Sequence, residues 1–214
     1  MKKSRKLPAG DGRQAMDGII VGVLALQGDF REHINMLRIL GAEAREIRFP
    51  RQLDEVDGLI IPGGESTTIN KLFDKYGFRE KLHEFHRSGK PLFGTCAGLI
   101  VLAKKAKGEE SQLGLIDIDV ERNAYGRQID SFEQKISLNL DHKAEKKDFN
   151  SVYIRAPKII RKSDGVKVLG MHDDEIVLAR QKNVLVSSFH PELTEDTRIH
   201  RYFIGMIREN IKEK

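Results

Sequence analysis

Residues 91–102 read Pro91-Leu92-Phe93-Gly94-Thr95-Cys96-Ala97-Gly98-Leu99-Ile100-Val101-Leu102. Pro91 to Gly94 reads as a short buried strand and Ala97 to Lys107 as the helix it runs into, with a cysteine at the junction. Gly94-Thr95-Cys96-Ala97-Gly98 therefore has the form glycine, x, nucleophile, x, glycine between a strand and a helix, the setting of a sharp elbow. Its glycines answer a steric need, because strand and helix approach closely at such a turn. A side chain at the elbow projects from the sheet edge, and the free N–H groups and partial positive charge of the helix N-terminus behind it suit a thiolate. A lone cysteine without this context is more often a small buried hydrophobe.

Outward from the elbow, short apolar runs alternate with helical periodicity. Ile19 to Leu26 reads as the first strand. Phe30, Ile34, Leu37, Ile39 and Leu40 follow as a helical face, with Gly41 at the C-cap. Ala42 to Phe49 and Gly58 to Ile61 read as strands, Pro62-Gly63-Gly64 as a turn, and the stretch through Leu72 and Phe73 as a short helix. Phe78, Leu82, Phe85 and His86 mark another helix, ending at Ser88-Gly89. This order predicts an α/β fold, doubly wound, with a largely parallel sheet flanked by helices. Beyond Gly114 the pattern changes to shorter strands, some antiparallel: Leu115 to Glu121, Ile136 to Leu140, Val152 to Arg155, Val166 to Leu169, Glu175 to Ala179 and Val184 to Phe189. Asp141 to Asn150 is polar and Lys-rich and reads as a surface loop. Thr194 is the expected N-cap of a last helix, with Glu195 and Asp196 in its first turn and Ile199, Phe203, Met206 and Ile207 on its buried face.

The chain has 214 residues, 39% of them hydrophobic and 32% charged, which suits one globular domain with a sizeable core. Its apolar runs fall well short of the roughly 20 residues that span a bilayer. A single Cys excludes an internal disulfide and any paired-cysteine metal or redox motif, so a reducing cytoplasm is the expected compartment. Of the net +5, residues 1–18 hold +3, with five basic residues against Asp11 and Asp17. No apolar h-region follows the basic start, so residues 1–18 read as an extension rather than a secretory signal, and residues 19–214 as one domain. The charge is thus concentrated outside the fold and gives little support to nucleic-acid binding, which would be lost on removing the extension.

A thiol nucleophile needs a base, and the base a group to hold its tautomer. The strand from Val184 delivers His190-Pro191-Glu192 to the sheet edge, where Glu192 can reach back to the imidazole. Of the seven histidines, His83, His86, His142 and His200 lack such a context. Pro62-Gly63-Gly64-Glu65-Ser66-Thr67-Thr68 also follows a strand, and its double glycine would let N–H groups face a ligand, as in an oxyanion hole. A plain turn with a Ser/Thr helix cap and a phosphate loop are the alternatives, although no Gly-Lys-Ser/Thr follows.

An elbow Cys with a late His-x-Glu resembles the class I glutamine amidotransferases, whose fold is flavodoxin-like. Gly22 to Gly28, Arg31-Glu32-His33, Pro62 to Thr68, Gly94 to Gly98, Val120 to Asn123 with Gly126-Arg127-Gln128, Ile154 to Pro157 and Phe189 to Thr194 narrow the resemblance to the glutaminase subunits of pyridoxal 5'-phosphate synthases. It covers about Gly18 to Phe203 and has no departure at a motif position.

The resemblance implies a glutaminase that supplies ammonia to a synthase subunit within a large hetero-oligomer that builds the vitamin B6 coenzyme, itself needing no metal or organic cofactor, nucleic acid or membrane. It further implies Cys96, His190 and Glu192 as catalytic residues and N–H groups at Gly64 and Ala97 as the oxyanion hole. Gly64, Glu65, Ser66, Arg122, Ile154 and Arg155 would line the glutamine pocket, and the Gln27 region would face the synthase. Arg127 and Glu133 are expected to be structural. Two alternatives remain at this point: a glutaminase subunit serving histidine or purine synthesis, and a flavodoxin-like binding module with an inert Cys96.

Overall fold

The computed structural model describes residues 18–107, 113–122, 131–140 and 148–213. Its parallel core consists of β1 (Ile20–Leu24), α1 (Phe30–Ile39), β2 (Glu43–Ile47), β3 (Gly58–Ile61), α2 (Ser66–Tyr76), α3 (Phe78–Arg87) and β4 (Leu92–Thr95). Then come α4 (Ala97–Leu102), β5 (Ala103–Lys107), β6 (Ile116–Glu121), β7 (Ser131–Leu138) and β8 (Phe149–Ile154). The chain closes with β9 (Lys158–Lys162), β10 (Lys167–His172), β11 (Glu175–Gln181), β12 (Val184–Ser187) and α5 (Arg198–Lys212).

Nine strands form the main sheet in the order β2-β1-β3-β4-β12-β11-β10-β7-β8. The first five run parallel, and β12, β11, β10, β7 and β8 follow one another antiparallel. Alternating side chains of the central strands serve the two faces. Ile60, Phe93 and Leu185 pack with Ile34 and Leu37 of α1 and Ile199 and Phe203 of α5, whereas Leu59, Ile61, Leu92 and Val186 pack with α2, α3 and α4. A smaller sheet, β5-β6-β9, joins the second of these cores through Ala106, Ile118 and Ile159. Among the described residues, no helix is long and apolar enough to cross a membrane.

Several boundaries depart from expectation. The helix read over Ala97 to Lys107 ends at Leu102, and Ala103–Lys107 pairs with β6 as a strand. Residues 97–103 are buried throughout, so hydrophobicity carries no period there, while Lys104 and Lys105 point outward. Thr194 caps a turn instead of the last helix: its Oγ1 accepts from Asp196 N–H at 3.2 Å, and α5 begins after Thr197. The strand expected at Ile136 begins five residues earlier, at Ser131, and the one expected at Val152 begins at Phe149. Phe149 is fully buried, so the polar stretch expected as a loop to Asn150 gives way to β8 before its end; residues 141–147 lie outside the described residues. Residues 1–17 of the expected extension also lie outside them.

The elbow glycines are fixed by backbone contact. A Cβ on Gly98 would stand 2.0 Å from the carbonyl oxygen of Ile61 in β3, and one on Gly94 would stand 2.6 Å from the backbone of Gly98. Neither neighbour is a flexible side-chain tip that can move aside. Gly205, within α5, has open space where a Cβ would go. Gly98→Ala is therefore expected to lower the thermal midpoint by roughly 6–12 °C, through about 3 kcal/mol of overpacking. Gly205→Ala should raise it by a few degrees, the helix-propensity gain being about 0.8–1 kcal/mol. Thermal unfolding of both variants against the parent checks the pair.

Candidate active site

β4 and β12 lie side by side and parallel, with Thr95 opposite Ser187, so both discharge at the same sheet edge. Cys96 leaves β4 with φ 48° and ψ −102°, a conformation strained for a residue with a side chain, and its N–H donates to the Ser187 carbonyl at 2.9 Å. The chain beyond β12 is pinned by Ser188 N–H to the Val177 carbonyl and His190 N–H to the Val152 carbonyl, at 2.9 and 2.8 Å. Pro191–Leu193 then forms one 3-10 turn, which brings Glu192 back beneath the imidazole.

His190 Nδ1 and Glu192 Oε1 are 2.8 Å apart, and both residues are buried. No hydrogen bond of full geometry engages His190 Nε2, which is left to the Cys96 thiol. Burial alone would lower the pKa of this imidazole. The Cys96 and Glu192 side chains outweigh it by hydrogen bonding and charge, and His190 is pushed up to about 10. Burial pushes the Glu192 carboxyl up while His190 pulls it back, so the pair behaves as one unit. The elbow cysteine and the late His-x-Glu, far apart in the sequence, are thus brought together.

The floor and one wall come from elsewhere. Cys96 Sγ lies 3.8 Å from the Ile154 carbonyl oxygen at the end of β8, and the next residue, Arg155, has φ 43°. Ala97 is the first residue of α4, directly behind the sulfur. Glu65 is the N-cap of α2: its carboxylate accepts from the N–H groups of Thr67 and Thr68 at 3.1 and 2.7 Å. These bonds and the Thr68 hydroxyl overcome a desolvation penalty and hold Glu65 down to about 2. The cap expected of a Ser or Thr is therefore an acidic residue. Arg122, at the end of β6, reaches across to the same carboxylate at 3.2 Å, which unites two of the expected pocket residues. Ser66 is buried at the start of α2. Glu133 accepts from Asn150 Nδ2 at 2.7 Å between β7 and β8, whereas Arg127 lies outside the described residues along with Asn123, Gly126 and Gln128.

The Gly63-Gly64 loop is held by the segment after β1. Asp29 N–H donates to the Gly63 carbonyl at 3.3 Å and Glu65 N–H to Gln27 Oε1 at 2.8 Å. A Cβ on Gly28 would fall 1.7 Å from the Gly63 oxygen, and one on Gly64 would fall 2.4 Å from Gln27 Oε1. Ligand atoms of Asp29, His190 and Glu192 lie within 4.8 Å of one another, a spacing at which a cation could be held. Holding one would take Nδ1 from its 2.8 Å bond with Glu192.

Sequence reading misses two buried histidines behind this line. His33 of α1 and His200 of α5 are both fully buried, and His33 Nε2 stands 3.4 Å from Glu192 Oε2. A signal is available: each histidine sits on the apolar face of an amphipathic helix, beside Ile34 and Ile199 respectively.

The model of the SNO glutamine amidotransferase family matches residues 23–209. A "Pyridoxal 5'-phosphate synthase subunit PdxT" from Thermosipho africanus is 53% identical over 190 residues, spanning 88% of this chain and 99% of that protein. One of the same description from Anoxybacillus flavithermus is 54% identical over 190 residues, spanning 88% and 97%. Among solved structures, a glutamine amidotransferase matches with TM-score 0.82 at 50% identity over 88% of this chain and 98% of its own. PurLQS from Thermotoga maritima matches with TM-score 0.66 at 18% identity over 91% and 98%, a likeness of fold alone.

Because Cys96 and Glu192 both raise the His190 pKa, removing either must lower it. In Cys96→Ala and in Glu192→Gln the His190 ring should titrate at a more acid midpoint than the parent's value of about 10. Histidine ring resonances followed by NMR from pH 5 to about 11 report the shift.

Proposed function

Since the chain belongs to the SNO glutamine amidotransferase family, we propose that it is the glutaminase subunit of a pyridoxal 5'-phosphate synthase, hydrolysing L-glutamine and delivering the ammonia to the synthase subunit for vitamin B6 biosynthesis. The observation that carries the reading at the level of residues is the placement of an elbow cysteine beside an imidazole whose other nitrogen is held by a buried carboxylate. Cys96, His190 and Glu192 are the catalytic residues, and residues 19–214 act as one glutaminase domain. A sulfur nucleophile and a reducing cytoplasm suit each other, and we place the protein there.

The Cys96 thiolate attacks the carboxamide carbon of glutamine. The carbonyl oxygen gathers negative charge, and N–H groups of Gly64 and Ala97 stabilise it. As the C–N bond breaks, His190 gives its proton to the departing nitrogen, so ammonia leaves and a glutamyl thioester remains on Cys96. His190, now neutral, takes a proton from water. The hydroxide so formed adds to the thioester carbon, and expulsion of the thiolate releases glutamate and completes the starting thiolate–imidazolium pair. Glu192 holds the imidazole throughout. Gly64, Glu65, Ser66, Arg122, Ile154 and Arg155 line the glutamine pocket, the guanidinium of Arg122 suiting the substrate carboxylate.

Ammonia set free in neutral water is quickly protonated and ceases to be a nucleophile, so transfer within a complex is chemically required. The bonds from Gln27 and Asp29 to the Gly63–Glu65 loop support a further point: a partner touching the segment after β1 also acts on the oxyanion donor at Gly64.

Glutamate release, measured with and without a synthase subunit, tests the whole reading. Turnover should rise on adding the synthase; equal rates would contradict gating by the partner. Cys96→Ala should reduce turnover by at least about a thousandfold. Arg122→Ala should raise KM about tenfold, the effect of some 1.4 kcal/mol of lost binding, with kcat little changed.

A further inference from the structure

The line of polar groups at the sheet edge does not end at Glu192. Its Oε1 takes the His190 bond, but its Oε2, fully buried, makes no hydrogen bond of full geometry. A carboxylate oxygen buried in that position is costly unless a donor stands near it. Besides the residue's own backbone N–H, which bonds the carboxylate, the donor near Oε2 is His33 Nε2, at 3.4 Å, which also lies 3.2 Å from the hydroxyl of Thr95, the residue before the nucleophile. On its far side His33 Nδ1 meets His200 Nε2 at 2.9 Å. Among the described residues, none offers the buried His200 Nδ1 a hydrogen-bond partner.

These contacts choose the tautomers. One of the two nitrogens that meet at 2.9 Å must carry the proton. If His33 Nδ1 carried it, His33 Nε2 would turn a lone pair toward Glu192 Oε2, and His200 would bury an N–H with nothing to receive it. If His200 Nε2 carries it, His33 Nε2–H points at Thr95 and Glu192, and the group left alone is a lone pair on His200. Orphaned buried N–H groups are the rarer and costlier kind, so the second arrangement holds. Burial keeps both rings neutral: His33 is lowered well below its ordinary value, with the His190 imidazolium adding to the effect, and His200 is lowered to about 3.

We propose that His33, its tautomer fixed by His200, is a positioning residue for the reaction: its Nε2–H supports the second oxygen of Glu192, keeping that carboxylate ionised and aligned with His190. The proposal rests on the glutaminase reading given above. The titratable groups facing Glu192 are His190 on its own turn, Asp29 ahead of α1 and His33 on α1, with His200 of α5 behind His33 and Cys96 acting through His190. Without the His33 dipole, Glu192 takes up a proton at higher pH and the imidazolium loses its counter-charge.

The test uses the full chain with a synthase subunit, comparing the parent with His33→Leu and His33→Gln. Glutamate release and the rate of Cys96 alkylation by iodoacetamide are each measured against pH. In His33→Leu, kcat should fall about tenfold with KM within about twofold, and the acid limb of both profiles should move up by about one pH unit. His33→Gln, which keeps a donor at that position, should return the limb toward the parent. A folded His33→Leu whose profiles coincide with the parent's overturns the proposal. Should the leucine variant not fold, ring 15N NMR of the parent decides: protons on His33 Nε2 and His200 Nε2 support the proposal, and a proton on His33 Nδ1 overturns it. A parent that releases no glutamate refutes the glutaminase reading instead, and the alkylation profiles still settle whether His33 acts on Glu192.

Discussion

Everything at the site depends on β12 lying beside β4 in parallel, with Ser187 opposite Thr95. These strands are separated by most of the second half of the chain, yet they end within one residue of each other, and each leads directly into a functional segment. A slip of one residue would turn every side chain of β12 to the other face and carry His190 away from the elbow. The register is held by side chains of both faces: Leu185 packs with the α1 and α5 core and Val184 and Val186 with the opposite one. The Cys96 N–H bond to Ser187 ties the elbow to the same register.

Burial then sets the chemistry. His190 and Glu192 are charged partners shut away from water, so their interaction is strong enough to reverse the usual effect of burial on an imidazole. The histidines behind them are held neutral by burial, His33 even with the Glu192 carboxylate 3.4 Å away, and act as fixed dipoles rather than ions. Glu65 and Arg122 stand closer to solvent, and their pairing there is a matter of orientation more than of stability.

Much of this is legible in the residues. Gly58–Ile61 reads with its observed limits, and the elbow, the strand before it and the late His-x-Glu all emerge from local pattern. Reading fails where the pattern carries no period. Residues 97–103 are buried on every side, so the helix–strand change at Ala103 leaves no hydrophobic mark. Ser131 to Lys135 is mostly exposed and lacks alternation, which hides the start of β7. Lys158–Lys162 is a basic strand at the edge of the small sheet, which hides that strand altogether. His200 looks like an ordinary helical residue because its partner, His33, is 167 positions away in the chain.

The Ile154 carbonyl beside the sulfur has a different origin from the groups that face it. Cys96 and the His190 imidazole are products of the parallel half, while this oxygen is carried in by the outermost hairpin of the antiparallel half. The candidate site is therefore a seam between two building styles. The cysteine and imidazole and the strand that borders them belong to separate parts of the sheet, so substitutions in β7 and β8 can reshape that border without touching the β4–β12 register.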